Sequence, residues 1–193
     1  MSKINVWKIR WCLLCCLLIG GLVFQGRMVL AEEDYFKTLN VGRFEEPIEV
    51  PDFLLPQLGG GELRLSEYKG HVVLLNFWAT WCPHCVHERE GLQHLYEAYK
   101  DEGLVIIAVS IDRGSSEHVK KFLESKGLTF VNVQDKNSAT LAEYGIRGVP
   151  ATIIIAPSGM ALGGVLGPRE WGSDEAGRLI EHILADYKDT VTP

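Results

Sequence analysis

The sequence predicts an α/β domain, a mixed sheet covered by helices on both sides. Two observations carry that class. Unbroken apolar runs of strand length at 72–78 (VVLLNFW) and 104–111 are each followed by a stretch of helical pattern, as expected of strands buried on both faces. Later, 151–156 and 162–166 are two short strands joined by Pro157-Ser158-Gly159, a hairpin that adds antiparallel neighbours to the same sheet.

Taken in order, residues 1–31 have a basic start, an apolar run of 14 residues at 11–24 (WCLLCCLLIGGLVF) and the small residues Val29 and Ala31. That is the layout of an export signal cleaved after Ala31. The run is shorter than the ~20 residues a spanning helix needs, and extending it through Leu30 gives the alternative, an uncleaved membrane anchor. Both readings place the body outside the cytoplasmic membrane, because Lys3, Lys8 and Arg10 favour an inside N-terminus. Residues 32–47 are polar with little periodicity and read as a linker, leaving a domain over 48–187 and a tail at 188–193.

Within the domain, 53–58 and 63–65 flank Gly59-Gly60-Gly61 as a hairpin would. The glycines form a turn, since no GxGxxG pattern surrounds them and no lysine follows to meet a phosphate. A helix is expected over 83–100, and a second, capped by Ser115 or Ser116, ends near Lys126-Gly127. A strand at 129–133, a short helix at 138–144 and a closing helix at 174–187 complete the pattern.

The chain has 193 residues and a net charge of −6, with four basic groups and no acid in the first 31, so the remainder carries −10. Phosphate affinity is built from Lys and Arg, so nucleic acid is excluded as a partner. Three of the five cysteines (Cys12, Cys15, Cys16) lie in the N-terminal apolar run, where cysteine behaves as a small hydrophobe. The remaining pair, Cys82 and Cys85, closes a loop too short to constrain the unfolded chain, so it is not a staple.

The chemistry is expected at Trp81-Cys82-Pro83-His84-Cys85, where a buried strand runs into Cys-x-x-Cys at a helix start. Pro83 suits the first helical position and pushes Cys82 toward extended backbone. Cys82 then meets the free N–H groups of the helix N-terminus, which can depress a thiol from about 8.5 toward 3.5–7. The expected division of labour is Cys82 as the nucleophile toward a substrate disulfide and Cys85 as the resolving thiol. Cys85, Glu88, Leu92, Leu95, Tyr96 and Tyr99 share one helical stripe, with Glu88 as its polar exception. A desolvated carboxyl there has a raised pKa and can accept the Cys85 proton; the plainer reading is a rim or ion-paired carboxylate. Pro150, after Val149 and at the entrance to the strand ATIII, is either an ordinary edge device or a cis residue that brings Val149 backbone against Cys82.

The stretch VVLLNFWATWCPHC, Glu88 three residues after the second cysteine, GVPATIII and the closing hairpin before a terminal helix resemble the TlpA/ResA/CcmG (DsbE) group of extracytoplasmic thioredoxin-like proteins, which carry a redoxin-type domain of the AhpC/TSA kind. The resemblance covers residues 48–187. It implies a thioredoxin fold with an N-terminal hairpin and an insertion around 113–133, cis geometry at Pro150 and a working acid at Glu88. It also implies a substrate groove bordered by Trp81, Pro83, His84 and Val149. Members of the group reduce protein disulfides, often apocytochrome c cysteines, with electrons from a membrane thiol-disulfide carrier; no cofactor is implied.

Three features depart from the wider pattern. Asn76 stands where cytoplasmic thioredoxins have a buried Asp, which leaves Glu88 as the acid. Glu90-Gly91 replaces a helix-kinking proline of many relatives. His84 makes the dipeptide Pro-His, closer to the oxidising DsbA enzymes, so net disulfide oxidation is the alternative direction. A metal chaperone is the rival from another class, since Cys82, Cys85, His84, His87 and His94 are soft ligands on paper. The histidines diverge from the cysteine stripe and no second ligand pair completes a tetrahedral set, so no metal is expected. Peroxiredoxin spacing is absent because Thr80 precedes Cys82 by two, and Val86 in place of His after Cys85 excludes haem attachment.

Overall fold

The computed structural model describes residues 34–191, with side chains through 187. The expected signal or anchor at 1–31 lies outside the described residues. A six-stranded mixed sheet runs in the order β1-β8-β7-β4-β5-β6, with a separate two-stranded sheet β2-β3. The strands are β1 (Gly42–Glu49), β2 (Leu54–Pro56), β3 (Glu62–Arg64), β4 (Val72–Trp78), β5 (Leu104–Ser110), β6 (Val131–Gln134), β7 (Ala151–Ile155) and β8 (Met160–Leu166). The helices are α1 (Tyr35–Thr38), α2 (Pro83–Tyr99), α3 (Ser116–Ser125), α4 (Ala139–Glu143) and α5 (Asp174–Val191).

Strands β4, β5 and β6 are parallel, while β7 is antiparallel to β4 and β8 to β7. Every residue of β4 is buried, which is why its sequence is an uninterrupted apolar run rather than an alternation. Its side chains divide between two cores. Val72, Leu74 and Trp78 pack with α2, α3 and α5, through Leu92, Val119 and Leu179 among others. Val73, Leu75 and Phe77 pack with the hairpin residues Phe53 and Leu63 and with Leu141 of α4. The thioredoxin-like α/β architecture is therefore present, and α3-β6 is the crossover that extends the sheet beyond β5, within the expected insertion at 113–133.

Two expectations need correction. Residues 32–47 do not form a linker as a whole: α1 and β1 lie within the fold, and β1 pairs antiparallel with β8. Phe36, Leu39 and Val41 supply the buried contacts, whereas β1 is an edge strand exposed along nearly all its length, so it shows no alternation that a sequence reading could detect. Its approach to β8 is close enough that a Cβ at Gly163 would collide with the Gly42 carbonyl oxygen. The tail expected at 188–193 is helical as far as Val191, because neither glycine nor proline lies between residues 178 and 192. The short helix α4 falls within the expected 138–144, and the buried Asp135 carboxylate accepts from the Ala139, Thr140 and Leu141 N–H groups at its start.

Candidate active site

The end of β4 delivers the chain into the start of α2, and Cys82 is its N-cap in extended conformation (φ −95°, ψ 105°), with Pro83 at the first helical position. The Cys85 N–H donates to Cys82 Sγ at 3.2 Å, so the sulfur takes one of the free amide donors of the helix start. Cys82 and Cys85 form a disulfide across a Cα–Cα distance of 5.3 Å. Both are buried, Cys85 completely. Cys82 Sγ lies 3.7 Å from the Val149 carbonyl oxygen, and the Val149–Pro150 bond is cis. The Pro150 carbonyl accepts from Gly167 N–H at 2.8 Å, which ties this segment to the end of β8.

Trp81, Pro83 and His84 are exposed beside the pair, Trp81 at 65%. Trp78, three residues earlier, is fully buried. An exposed indole thus adjoins a nearly covered disulfide, and Leu166 at the end of β8 is also exposed. His84, His87 and His94 are all exposed on α2.

Glu88 sits beneath the pair, buried at 4% exposure. Its Oε1 accepts from Asn76 Nδ2 at 2.9 Å and its Oε2 from the Arg169 backbone N–H at 3.3 Å. Burial pushes this carboxyl above the ordinary carboxylate range, while the Asn76 amide, the Arg89 charge, the Arg169 N–H and the Trp171 indole draw it part of the way back. A desolvated carboxyl one helical turn from Cys85 is a candidate for proton exchange with that residue.

Glu88 is not the single polar group on the buried side of α2, contrary to the sequence reading: Arg89 and Gln93 are buried with it. The Arg89 guanidinium carbon stands 4.0 Å from the Trp78 ring centre and 5.6 Å from that of Phe130, and Nη2 donates to Asn76 Oδ1. Burial pushes Arg89 down to about 9, with the Glu88 charge drawing it up, so it is a cation at neutral pH. Asn76 therefore joins Arg89, Glu88 and Thr152, whose hydroxyl accepts from Nδ2 at 3.0 Å.

Two supports went unseen in the sequence. The buried Asp112 carboxylate, just beyond β5, accepts from Thr80 N–H (3.0 Å), Thr80 Oγ1 (2.6 Å) and Ser110 Oγ (2.8 Å), pinning the loop that leads into Cys82. A lone Asp after an apolar run carries no spacing signal, so nothing pointed to it. The second support is Arg169, whose Nε and Nη2 donate to the Asn40 carbonyl at 2.9 and 2.7 Å while its own N–H holds Glu88. Asn40 adopts φ +55°, which turns the chain between α1 and β1.

Comparison with known proteins agrees with this geometry. The AhpC/TSA family pattern matches residues 48–160. The thiol-disulfide oxidoreductase ResA of Geobacillus thermodenitrificans is 41% identical over 109 residues, covering 56% of this chain and 62% of that protein. ResA of Bacillus thuringiensis subsp. konkukian is 30% identical over 181 residues, covering 94% of this chain and 92% of the relative. Among solved structures, a Chlorobium tepidum chain assigned as thiol:disulfide interchange protein DsbE has a TM-score of 0.67 and 29% identity, over 73% of this chain and 99% of that one. With the cysteine pair at the helix start and a sheet of this topology, the chain belongs to the AhpC/TSA family, as a thioredoxin-fold member similar to the ResA thiol-disulfide oxidoreductases.

Proposed function

We propose that the protein is an extracytoplasmic thiol-disulfide oxidoreductase that reduces disulfides in protein substrates, apocytochrome c cysteines among them. The observation that carries this reading is the Cys82–Cys85 disulfide at the N-terminus of α2 with the buried Glu88 carboxyl one turn below. In the reduced enzyme Cys82 thiolate attacks one sulfur of the substrate disulfide and expels the other as a thiolate. Glu88 takes the proton from Cys85, and the resulting thiolate attacks Cys82 Sγ, expelling the second substrate sulfur. Two electrons have passed to the substrate and the enzyme is left as the disulfide. A membrane thiol-disulfide carrier restores the dithiol.

Trp81, Pro83, His84 and Val149 border the groove in which the substrate chain lies, and the cis bond before Pro150 presents the Val149 backbone to it. The N-terminal basic-apolar segment supports export, with the body released or tethered by that segment.

The test is the reduction potential of the purified protein against glutathione, together with turnover on a disulfide-bonded protein. A reductant has a potential near that of thioredoxin, roughly −270 mV, whereas a value near the DsbA level of about −120 mV would reverse the assigned direction. Cys82→Ser abolishes turnover; undiminished turnover would remove the nucleophile assignment.

A further inference from the structure

Two consecutive residues of α2, Glu88 and Arg89, are charged and buried, and no direct ion pair joins them among the described residues. Asn76 stands between them, its NH₂ on Glu88 Oε1 and its carbonyl on Arg89 Nη2. The remaining donors of the guanidinium, Nε and Nη1, have no hydrogen-bond partner among the described residues. A buried cation with idle N–H groups is costly, and an apolar side chain of similar reach would pack against Trp78 and Phe130 without that cost. Fold stability therefore does not account for a charge at this position. Its location does: Arg89 lies four residues after Cys85 on the same helix and beside the carboxyl beneath the redox pair.

We propose that Arg89 is a positioning residue of the redox centre, its buried guanidinium acting with Asn76 to hold Glu88 as an ionised acceptor below Cys85. The proposal rests on the reading of Glu88 as the acceptor of the Cys85 proton. The groups that bear on Glu88 are Arg89 from its own helix, Asn76 from β4, and the Arg169 N–H and Trp171 from the segment after β8; Arg89 supplies the only full charge among them. The Thr152 hydroxyl of β7 accepts from the same Asn76 Nδ2 that donates to Glu88. Without the cation, burial acts on the carboxyl with less opposition, so Glu88 takes up a proton at higher pH and meets Cys85 already protonated.

The experiment follows the Glu88 carboxyl by ¹³C NMR against pH in the oxidised full chain, with Glu88→Gln identifying the resonance. Arg89→Met raises the Glu88 midpoint by about one pH unit, about tenfold in the proton equilibrium. Arg89→Gln, also neutral, does the same and is measured in parallel so that the result does not depend on the folding of one variant. Arg89→Lys, which retains the charge, returns the midpoint most of the way to that of the parent. An unmoved midpoint in both neutral variants, or a lysine variant that behaves like methionine, overturns the proposal. The underlying reading is tested separately by alkylation of Cys85 in a Cys82→Ser background. If Glu88→Gln leaves the pH profile of that thiol unchanged, Glu88 is not the acceptor, whatever the NMR midpoint shows of Arg89.

Discussion

Asp112 offers the sharpest test of how the loop before the redox pair is held. Its carboxylate is 5% exposed and takes three hydrogen bonds, two from Thr80 and one from Ser110. Asp112→Ala leaves all three donors without their acceptor. At about 1.5 kcal/mol for each bond to a charged group, less what water recovers at the part-buried Thr80, the loss is about 3–4 kcal/mol. Asp112→Asn is different. With its oxygen turned toward the Thr80 N–H and Ser110 Oγ, its NH₂ faces the Thr80 hydroxyl, which can rotate to accept. Only the charge assistance is then lost, a cost of about 1–2 kcal/mol. Urea unfolding of the two variants gives the comparison, and disulfide-reduction turnover reports the placement of Cys82. The reasoning fails if the alanine variant loses less than about 1 kcal/mol, or if asparagine costs as much as alanine.

Three further outcomes are expected. Arg169→Ala removes both donors to the Asn40 carbonyl; a stability loss of about 1–2 kcal/mol and a higher Glu88 midpoint by NMR are expected, and an unaltered midpoint would separate the clamp from the carboxyl. Gly91→Ala places a Cβ 2.7 Å from the Gly172 backbone N, so the turn before α5 must shift, at about 1–3 kcal/mol in thermal or urea unfolding. Glu88 also makes stability depend on pH. Its folded pKa is raised, so between the unfolded and folded values the native state keeps a proton that the unfolded chain has released. Stability therefore falls as pH rises through that window and is level above it, and Glu88→Gln removes this component of the slope. A urea midpoint from Glu88→Gln with the parent's full pH dependence would contradict the assignment of burial as the cause.

The redox pair and the strand-to-helix junction were legible because their signals are local. A wholly buried strand must be apolar without alternation, and a cysteine before proline must be extended at the start of a helix; both rules act within a few residues, as 72–78 and Cys82-Pro83 show. The position of Glu88 followed from helical spacing alone, since residues three apart share a face. The N-terminal edge was not legible, because β1 buries little of its own side-chain surface and is held chiefly by main-chain bonds to β8, which any residue can make.

The sequence by itself determined the fold class, the cysteine pair and the carboxyl one turn below it, since each depends on short-range periodicity or steric restriction. Only the tertiary structure decided what surrounds that carboxyl. Asn76 and Arg169 come from segments far apart in the chain, and α2 turns Arg89 inward onto Trp78 although its sequence spacing alone did not single it out. The reason is physical: burial and hydrogen-bond partners, which set the charge of Glu88, are properties of packing between distant segments and leave no periodic trace along the chain.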